Sequence, residues 1–318
     1  MKPPYDITNK ILASISSISE KIGEIKSAHL IKPPTELRKR NRIKTIQSSL
    51  EIEGNTLSIE QITDLIDNKR ILAPVKDILE VKNAIKVYSM LDKFDTYKLD
   101  SLCKAHDILM DGLLENTGQL RSTSVGIVKG DDVAHIAPPG DLVYSLMRDL
   151  FEYLKNDDDL LLIKSCVFHY EFEFIHPFLD GNGRMGRLWQ TMILKEYSPV
   201  FEFLPIESIV KEKQQDYYKV LGKSDRQGTS TSFIEFMLEV INLALEDLLG
   251  AKNMNYKTID RIDVYKEIIG KEYFTRQEYL RHNKEISSAT ASRDLKEAVD
   301  NGVLEKFGHK RLTKYRFV

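Results

Sequence analysis

Cysteine is nearly absent: Cys103 and Cys166 are the only two in 318 residues, too few to staple a scaffold of this length. Both sit in apolar, helix-patterned stretches, so they read as buried thiols in a reducing compartment rather than as a disulfide. Long apolar runs are missing too. The first residues, Met-Lys-Pro-Pro-Tyr-Asp-Ile-Thr, hold no apolar core of signal-peptide length. No stretch elsewhere approaches the roughly 20 apolar residues that cross a bilayer, so a cytoplasmic location and no membrane partner are expected. A large charge of either sign is also lacking. The formal net charge of −2 offers no general attraction for nucleic acid, although it leaves room for local asymmetry.

What remains suits packed helices. Hydrophobic residues, at 42%, suffice for a core, and charged residues, at 30%, keep the surface solvated. The length exceeds what one ordinary core takes, which suggests two domains. Ile11, Ile15, Ile18, Ile22 and Ile25 alternate four and three apart. That spacing predicts an amphipathic helix within residues 5–30, packed on its own domain or forming a dimer contact. Pro33-Pro34 interrupts it. A second helix is expected from Glu36 to Glu53, stopped by Gly54-Asn55. Ser58 and Gln61 have capping-box spacing for the next, which carries Ile59, Ile62, Leu65 and Ile66. Further helices are expected over about 75–95, 98–113, 141–155 and 160–174, the last apolar on most faces. Between the second and third of these, β-prone runs at 125–128 and 133–137 flank Lys129-Gly130-Asp131-Asp132 and predict a hairpin.

The chemistry is concentrated in twelve residues, His176 to Arg187, reading His-Pro-Phe-Leu-Asp-Gly-Asn-Gly-Arg-Met-Gly-Arg. His176 offers an imidazole that takes a proton near neutral pH. Asp180 offers a hard oxygen ligand of the kind that suits a magnesium ion carrying phosphates. Gly181, Asn182 and Gly183 can turn tightly and aim N–H groups at an anion. Arg184 and Arg187, three apart, share one face of the helix that Met185, Leu188, Trp189, Met192 and Ile193 predict. A base, a metal ligand, a glycine nest at a helix N-terminus and two guanidiniums describe a phosphoryl-transfer site. Phe178, between base and carboxylate, reads as a buried anchor for the loop.

This stretch resembles the signature of Fic-domain proteins, His-x-Phe-x-(Asp/Glu)-Gly-Asn-Gly-(Arg/Lys)-x-x-Arg, at every specified position. The end of the second helix resembles that family's inhibitory motif, (Ser/Thr)-x-x-x-Glu-(Gly/Asn), at Ser49, Glu53 and Gly54. The resemblance covers roughly residues 5–250 and implies a mainly α fold, a Fic-type helical core with a small β-hairpin flap. It implies protein adenylyltransfer: AMP moves from ATP, with Mg²⁺, to a Ser, Thr or Tyr hydroxyl of a protein docked on the 121–139 flap, the enzyme itself included. His176 would be the base and Asp180 the metal ligand. Gly181, Asn182, Gly183, Arg184, Gly186 and Arg187 would bind the nucleotide. Val125 and Tyr218 are further nucleotide-binding candidates, Tyr217 and Tyr218 being either base-stacking residues or half-buried helical tyrosines. Glu53 would compete with the γ-phosphate for Arg187. Doc-type kinases resemble this family but carry lysine at the position of Gly183, so nucleotidyl transfer is the better match here.

Beyond Gly250 to Lys257 the pattern changes. A helix at about 260–270, a capping box at Thr275 to Glu278, a helix opened by Ile286 to Leu295 and ended at Asn301-Gly302, and two strands around Gly308 resemble a winged helix-turn-helix. Residues 258–318 hold 13 Lys/Arg against 10 Asp/Glu, and from Lys306 on there are five basic residues and no acidic ones. DNA contact through Ser288, Thr290, Ser292 and Arg293 is one reading, and a protein-docking or dimerisation wing is the other. The expected division is an N-terminal helical segment 1–57, a catalytic domain 58–250 and a winged helix 258–318. Rival functions are a DNA-binding regulator that senses nucleotide at the Fic site, a de-AMPylase with Glu53 orienting water, or transfer of another nucleotide or of phosphocholine.

Overall fold

The computed structural model describes residues 2–28, 30–33, 35–129, 132–251, 258–283, 286–308 and 313–318. The molecule is mainly helical. The chain divides into two compact units, residues 1–20 with 41–246 and residues 21–40 with 247–318. No helix among the described residues is long and apolar enough to cross a membrane.

The first unit is built around two helices, α7 (Leu161–Ile175) and α8 (Asn182–Tyr197), which pack on each other and are joined by the loop that begins at His176. Both are apolar over most of their length: Leu162, Cys166, Val167, Phe168 and Phe172 of α7, and Met185, Leu188, Trp189 and Ile193 of α8, are buried. Burying each such side chain contributes on the order of 2 kcal/mol. The isoleucine seam of α1 (Asn9–Ser27) is buried at Ile11, Ile18, Ile22 and Ile25. Next comes α2 (Thr35–Ile52), ending in the turn Glu53–Gly54, where Gly54 has φ +92° as a helix-terminating residue requires. Ser58 caps α3 (Ile59–Ile66) in a complete capping box with Gln61.

Two helices stop earlier than the sequence predicts. The stretch expected to run over 75–95 breaks at α4 (Val75–Tyr88), where Ser89 caps and a 3₁₀ turn, Leu91–Lys93, takes over. The stretch over 98–113 ends as α5 (Leu99–Leu109), followed by Gly112 at φ +71°. Strands β1 (Gly126–Lys129) and β2 (Asp132–Ile136) pair antiparallel, Ile127 facing His135, with an irregularity between Ile127 and Val128. Gly130 and Asp131, the tip of the expected hairpin, lie outside the described residues. The unit continues with α6 (Val143–Asn156), then α7 and α8, then α9 (Ile206–Glu212), α10 (Gln214–Gln227) and α11 (Thr231–Ala251). Helix α9 has no counterpart in the sequence reading, because seven residues are too few to set a helical period.

The second unit takes in the end of α1 and the start of α2, within residues 21–40, and holds α12 (Thr258–Ile269), α13 (Arg276–His282), α14 (Ser288–Asp300) and the antiparallel pair β3 (Leu304–Phe307) and β4 (Lys314–Phe317). Its core joins Ile262, Tyr265, Phe274, Tyr279, Leu295 and Phe317. A buried bidentate pair runs from Arg261 to Asp294 at 2.7 and 2.8 Å, and the Tyr279 hydroxyl donates to the same carboxylate at 3.2 Å.

Candidate active site

The backbone is least ordinary at His176. It caps the C-terminus of α7 at φ +50°, ψ +61°, a left-handed conformation that costs a non-glycine residue on the order of 1 kcal/mol or more. Arg121 holds it there. Its buried guanidinium donates to the carbonyls of His176 (2.7 Å), Ile175 (2.9 Å), Pro138 (2.8 Å) and Thr123 (2.6 Å). Its own N–H donates to the Pro177 carbonyl at 2.8 Å. Burial lowers the Arg121 pKa from its usual value. A cation gathering carbonyls at a helix C-terminus is also favoured by the helix dipole.

The loop after His176 is stapled on two sides. Asn182 accepts from the Phe178 N–H at 2.9 Å and donates to the Phe178 carbonyl at 2.8 Å. Phe178 is fully buried and stacks on His106, centroids 3.7 Å apart. His106 Nδ1 accepts from the Gly118 N–H at 2.9 Å, which leaves the ring proton on Nε2 to be donated to the Asp180 carbonyl at 3.0 Å. Burial lowers the His106 pKa, in keeping with this neutral tautomer. Gly181 sits at φ +83°, and a Cβ there would approach the Met110 sulfur to 2.8 Å. Gly186 has a different neighbourhood. A Cβ there would meet Glu173 and His169 of α7 at 3.0 and 3.1 Å, so this glycine lets α7 and α8 pack closely.

The two signature arginines are both held by carboxylates. Arg187, 3% exposed, donates from Nη2 to Glu53 Oε1 at 2.7 Å and to the Ser49 carbonyl at 2.9 Å, and from Nε to Ser49 Oγ at 3.1 Å. Burial alone would lower its pKa, but the acidic groups around it, Glu53 foremost, together raise it above the usual value. Arg184 donates to Glu80 Oε1 at 3.2 Å and to Asp180 Oδ1 at 3.3 Å. Behind α2, burial pushes the Glu207 carboxyl up to about 7.

A cavity of about 580 Å³ opens beside these residues, with Glu53, His176, Gly183, Arg187, Tyr217 and Tyr218 on its wall. Tyr217 is buried, and its hydroxyl lies 3.1 Å from His169 Nε2. His169 in turn bonds Gln190 at 2.8 Å, and burial depresses its pKa to about 3. Arg184, Asp180, Asn182, Gly186 and half-buried Val125 are not among the described residues that line the cavity. The structure thus gathers His176, Gly183, Arg187, Glu53 and Tyr218 around one space and sets Asp180 on the loop behind His176. Sequence reasoning missed His106, Arg121 and Glu80.

Among the described residues no cluster of three or more His, Cys, Asp or Glu could cage a metal alone. Asp180 is a single carboxylate, its side chain 55% exposed, with Oδ1 accepting from the Gly181 N–H at 2.6 Å. That donor set fits magnesium, which binds through one or two carboxylates and takes its other ligands from phosphates and water.

Residues 96–194 match the sequence model of the Fic/DOC family. The fold matches a crystal structure of a Fic family protein from Desulfovibrio desulfuricans G20, with a TM-score of 0.76 and 38% identity over 100% of this chain and 98% of that one. The chain belongs to the Fic family. It is also similar to protein adenylyltransferase fic-1 of Caenorhabditis elegans, 25% identical over 77% of this chain and 48% of that protein. A third relative is protein adenylyltransferase Fic of Culex quinquefasciatus, 29% identical over 66% of this chain and 42% of that protein. The chain spans about half the length of the curated relatives it matches.

Proposed function

We propose that this chain is a protein adenylyltransferase: it moves AMP from ATP to a Ser, Thr or Tyr hydroxyl of a protein, and Glu53 restrains it. The observation that carries this reading is the Glu53–Arg187 contact of 2.7 Å on the wall of the cavity that His176 also lines. The names of its relatives supply the reaction class. In the reaction the target hydroxyl oxygen bonds to the α-phosphorus in line with the departing pyrophosphate. The bond from the α-phosphorus to the α–β bridging oxygen breaks, and His176 takes the hydroxyl proton. The Gly181–Gly183 amides and Arg184 stabilise the charge that gathers on the phosphates. Arg187 holds the γ-phosphate once Glu53 leaves it. Asp180 would hold magnesium, which would supply charge neutralisation to the phosphates. Strands β1 and β2 offer an edge on which a target segment can register by main-chain hydrogen bonds, which demands little of its side-chain sequence. Target and self-modification share this mechanism.

Label position tests the reading. Glu53→Gly protein incubated with Mg²⁺ should take up label from α-labelled ATP and none from γ-labelled ATP. Uptake from the γ position, or release of AMP from a pre-modified protein without uptake, would move the assignment to phosphate transfer or AMP removal.

For residues 258–318 we propose a winged helix-turn-helix that contacts DNA. Helix α14 exposes Arg293 and Lys296 together with Glu297 and Asp300, while Asp294 is buried against Arg261. Binding of duplex DNA that weakens steeply with salt is the expected result; salt-independent association, or none, would make this region a protein-docking module instead.

A further inference from the structure

We propose that Glu80 is a positioning residue with two simultaneous tasks: it orients Arg184 for the phosphates, and it anchors the turn behind Glu53. The proposal rests on the AMP-transfer reading above. Glu80 lies on α4, outside both sequence motifs, and is 7% exposed. One carboxylate oxygen, Oε1, accepts from Arg184 Nη1 at 3.2 Å. The other, Oε2, accepts from the side-chain amide of Asn55 at 2.9 Å. Asn55 follows Gly54 directly, is 6% exposed, and also donates to the Asp77 carbonyl at 3.1 Å and accepts from the Leu57 N–H at 3.1 Å. Thr56 adds two bonds to Asp77 Oδ2, at 3.0 and 2.6 Å. The turn that carries Glu53 is therefore fastened to the first turns of α4, and the same carboxylate that fastens it holds Arg184 from below. Arg184 then reaches Asp180 at 3.3 Å. The exposed Lys76 ammonium stands 4.0 Å from Glu80 and is a minor partner.

The chemistry of a carboxylate makes both tasks possible. It accepts on both oxygens, so a guanidinium and an amide are satisfied together in a buried place. Glutamine at 80 keeps the shape but has one accepting oxygen, so either Arg184 or Asn55 loses its acceptor and faces an amide donor instead. The two consequences have opposite signs. Loosening the turn weakens the hold of Glu53 on Arg187. Loosening Arg184 weakens stabilisation of the phosphates.

The test is AMP incorporation and Mg-ATP affinity in two backgrounds, with melting temperatures to confirm that each variant is folded. Glu80→Gln alone should leave the basal rate within about twofold of wild type, because the loosened inhibitory turn offsets the loss at Arg184. Glu53→Gly/Glu80→Gln should fall about tenfold below Glu53→Gly and bind Mg-ATP more weakly, because Arg184 is no longer aimed at the phosphates. Asn55→Ala should raise the basal rate, since it loosens the turn, and should lower the Glu53→Gly rate less than Glu80→Gln does, since Glu80 keeps a full carboxylate for Arg184. A merely structural role for Glu80 would lower both backgrounds together, and that result overturns the proposal. If Glu53→Gly itself transfers nothing, the transfer reading fails and Glu80 is judged by binding. Weaker Mg-ATP affinity on adding Glu80→Gln to Glu53→Gly sustains it, and unchanged affinity overturns it.

Discussion

Glu53 lies so close to Gly183 that a Cβ at position 183 would overlap the glutamate Oε1, while standing 3.1 Å from Arg187 Nη1. The missing side chain leaves room at that point for one negatively charged group, either the carboxylate or a phosphate. Gly183→Ala should displace the flexible end of Glu53 and yet give no activation, because the methyl occupies the same space. In the Glu53→Gly background, Gly183→Ala should lower AMP incorporation at least about tenfold. Equal rates with and without the methyl would show that phosphate binds elsewhere.

Ser49 shares in holding Arg187, through Oγ at 3.1 Å and its carbonyl at 2.9 Å. Ser49→Ala removes the first contact only. One hydrogen bond to a charged group contributes about 1.5 kcal/mol, so the basal rate should rise about tenfold, less than for Glu53→Gly. A Ser49→Ala rate equal to wild type would assign the restraint to Glu53 alone.

Arg121 holds the left-handed turn at His176. Arg121→Ala takes the guanidinium from four carbonyls, that of Ile175 buried, and should cost about 3 kcal/mol, read as a lowered denaturation midpoint with an unchanged m-value. Arg121→Lys should recover only part of this, since an ammonium cannot reproduce the planar fork. Full recovery by lysine would mean that charge, not geometry, holds the turn.

Two buried groups give stability opposite pH dependences. Burial pushes the Glu207 carboxyl up to about 7 in the fold, so its contribution is present below about 4.5 and is lost as pH rises toward 7. Glu207→Gln should therefore gain stability relative to wild type between pH 5 and pH 8, by up to about 3 kcal/mol. His169 behaves in reverse. Its folded pKa, about 3 through burial, lies below the usual value near 6.5, so its contribution is present above 6.5 and is lost on acidification. Melting curves of Glu207→Gln that track wild type at every pH would refute the buried-carboxylate account.

The twelve-residue signature was legible because its parts are local: an imidazole, a carboxylate, a glycine at positive φ and two arginines on one helix. The residues that hold those parts were not. His106 reaches Asp180 across 74 positions, Arg121 reaches His176 across 55, and Glu80 reaches Arg184 across 104. No periodicity or spacing encodes partners so distant. Helix onsets were read well at Ser58 and Thr275, where a side chain caps its own neighbours. Helix ends were read less well. At Tyr88 and Leu109 the helix stops without a proline or an adjacent glycine to mark the end in the sequence.

The measurement that bears most directly on the account compares wild type, Glu53→Gly and Glu53→Gly/His176→Ala by intact mass after incubation with Mg-ATP. The account predicts that the mass added by AMP appears in Glu53→Gly alone, with wild type at least about tenfold lower and the double variant at background. Equal modification of wild type and Glu53→Gly, or modification that survives loss of His176, would contradict it.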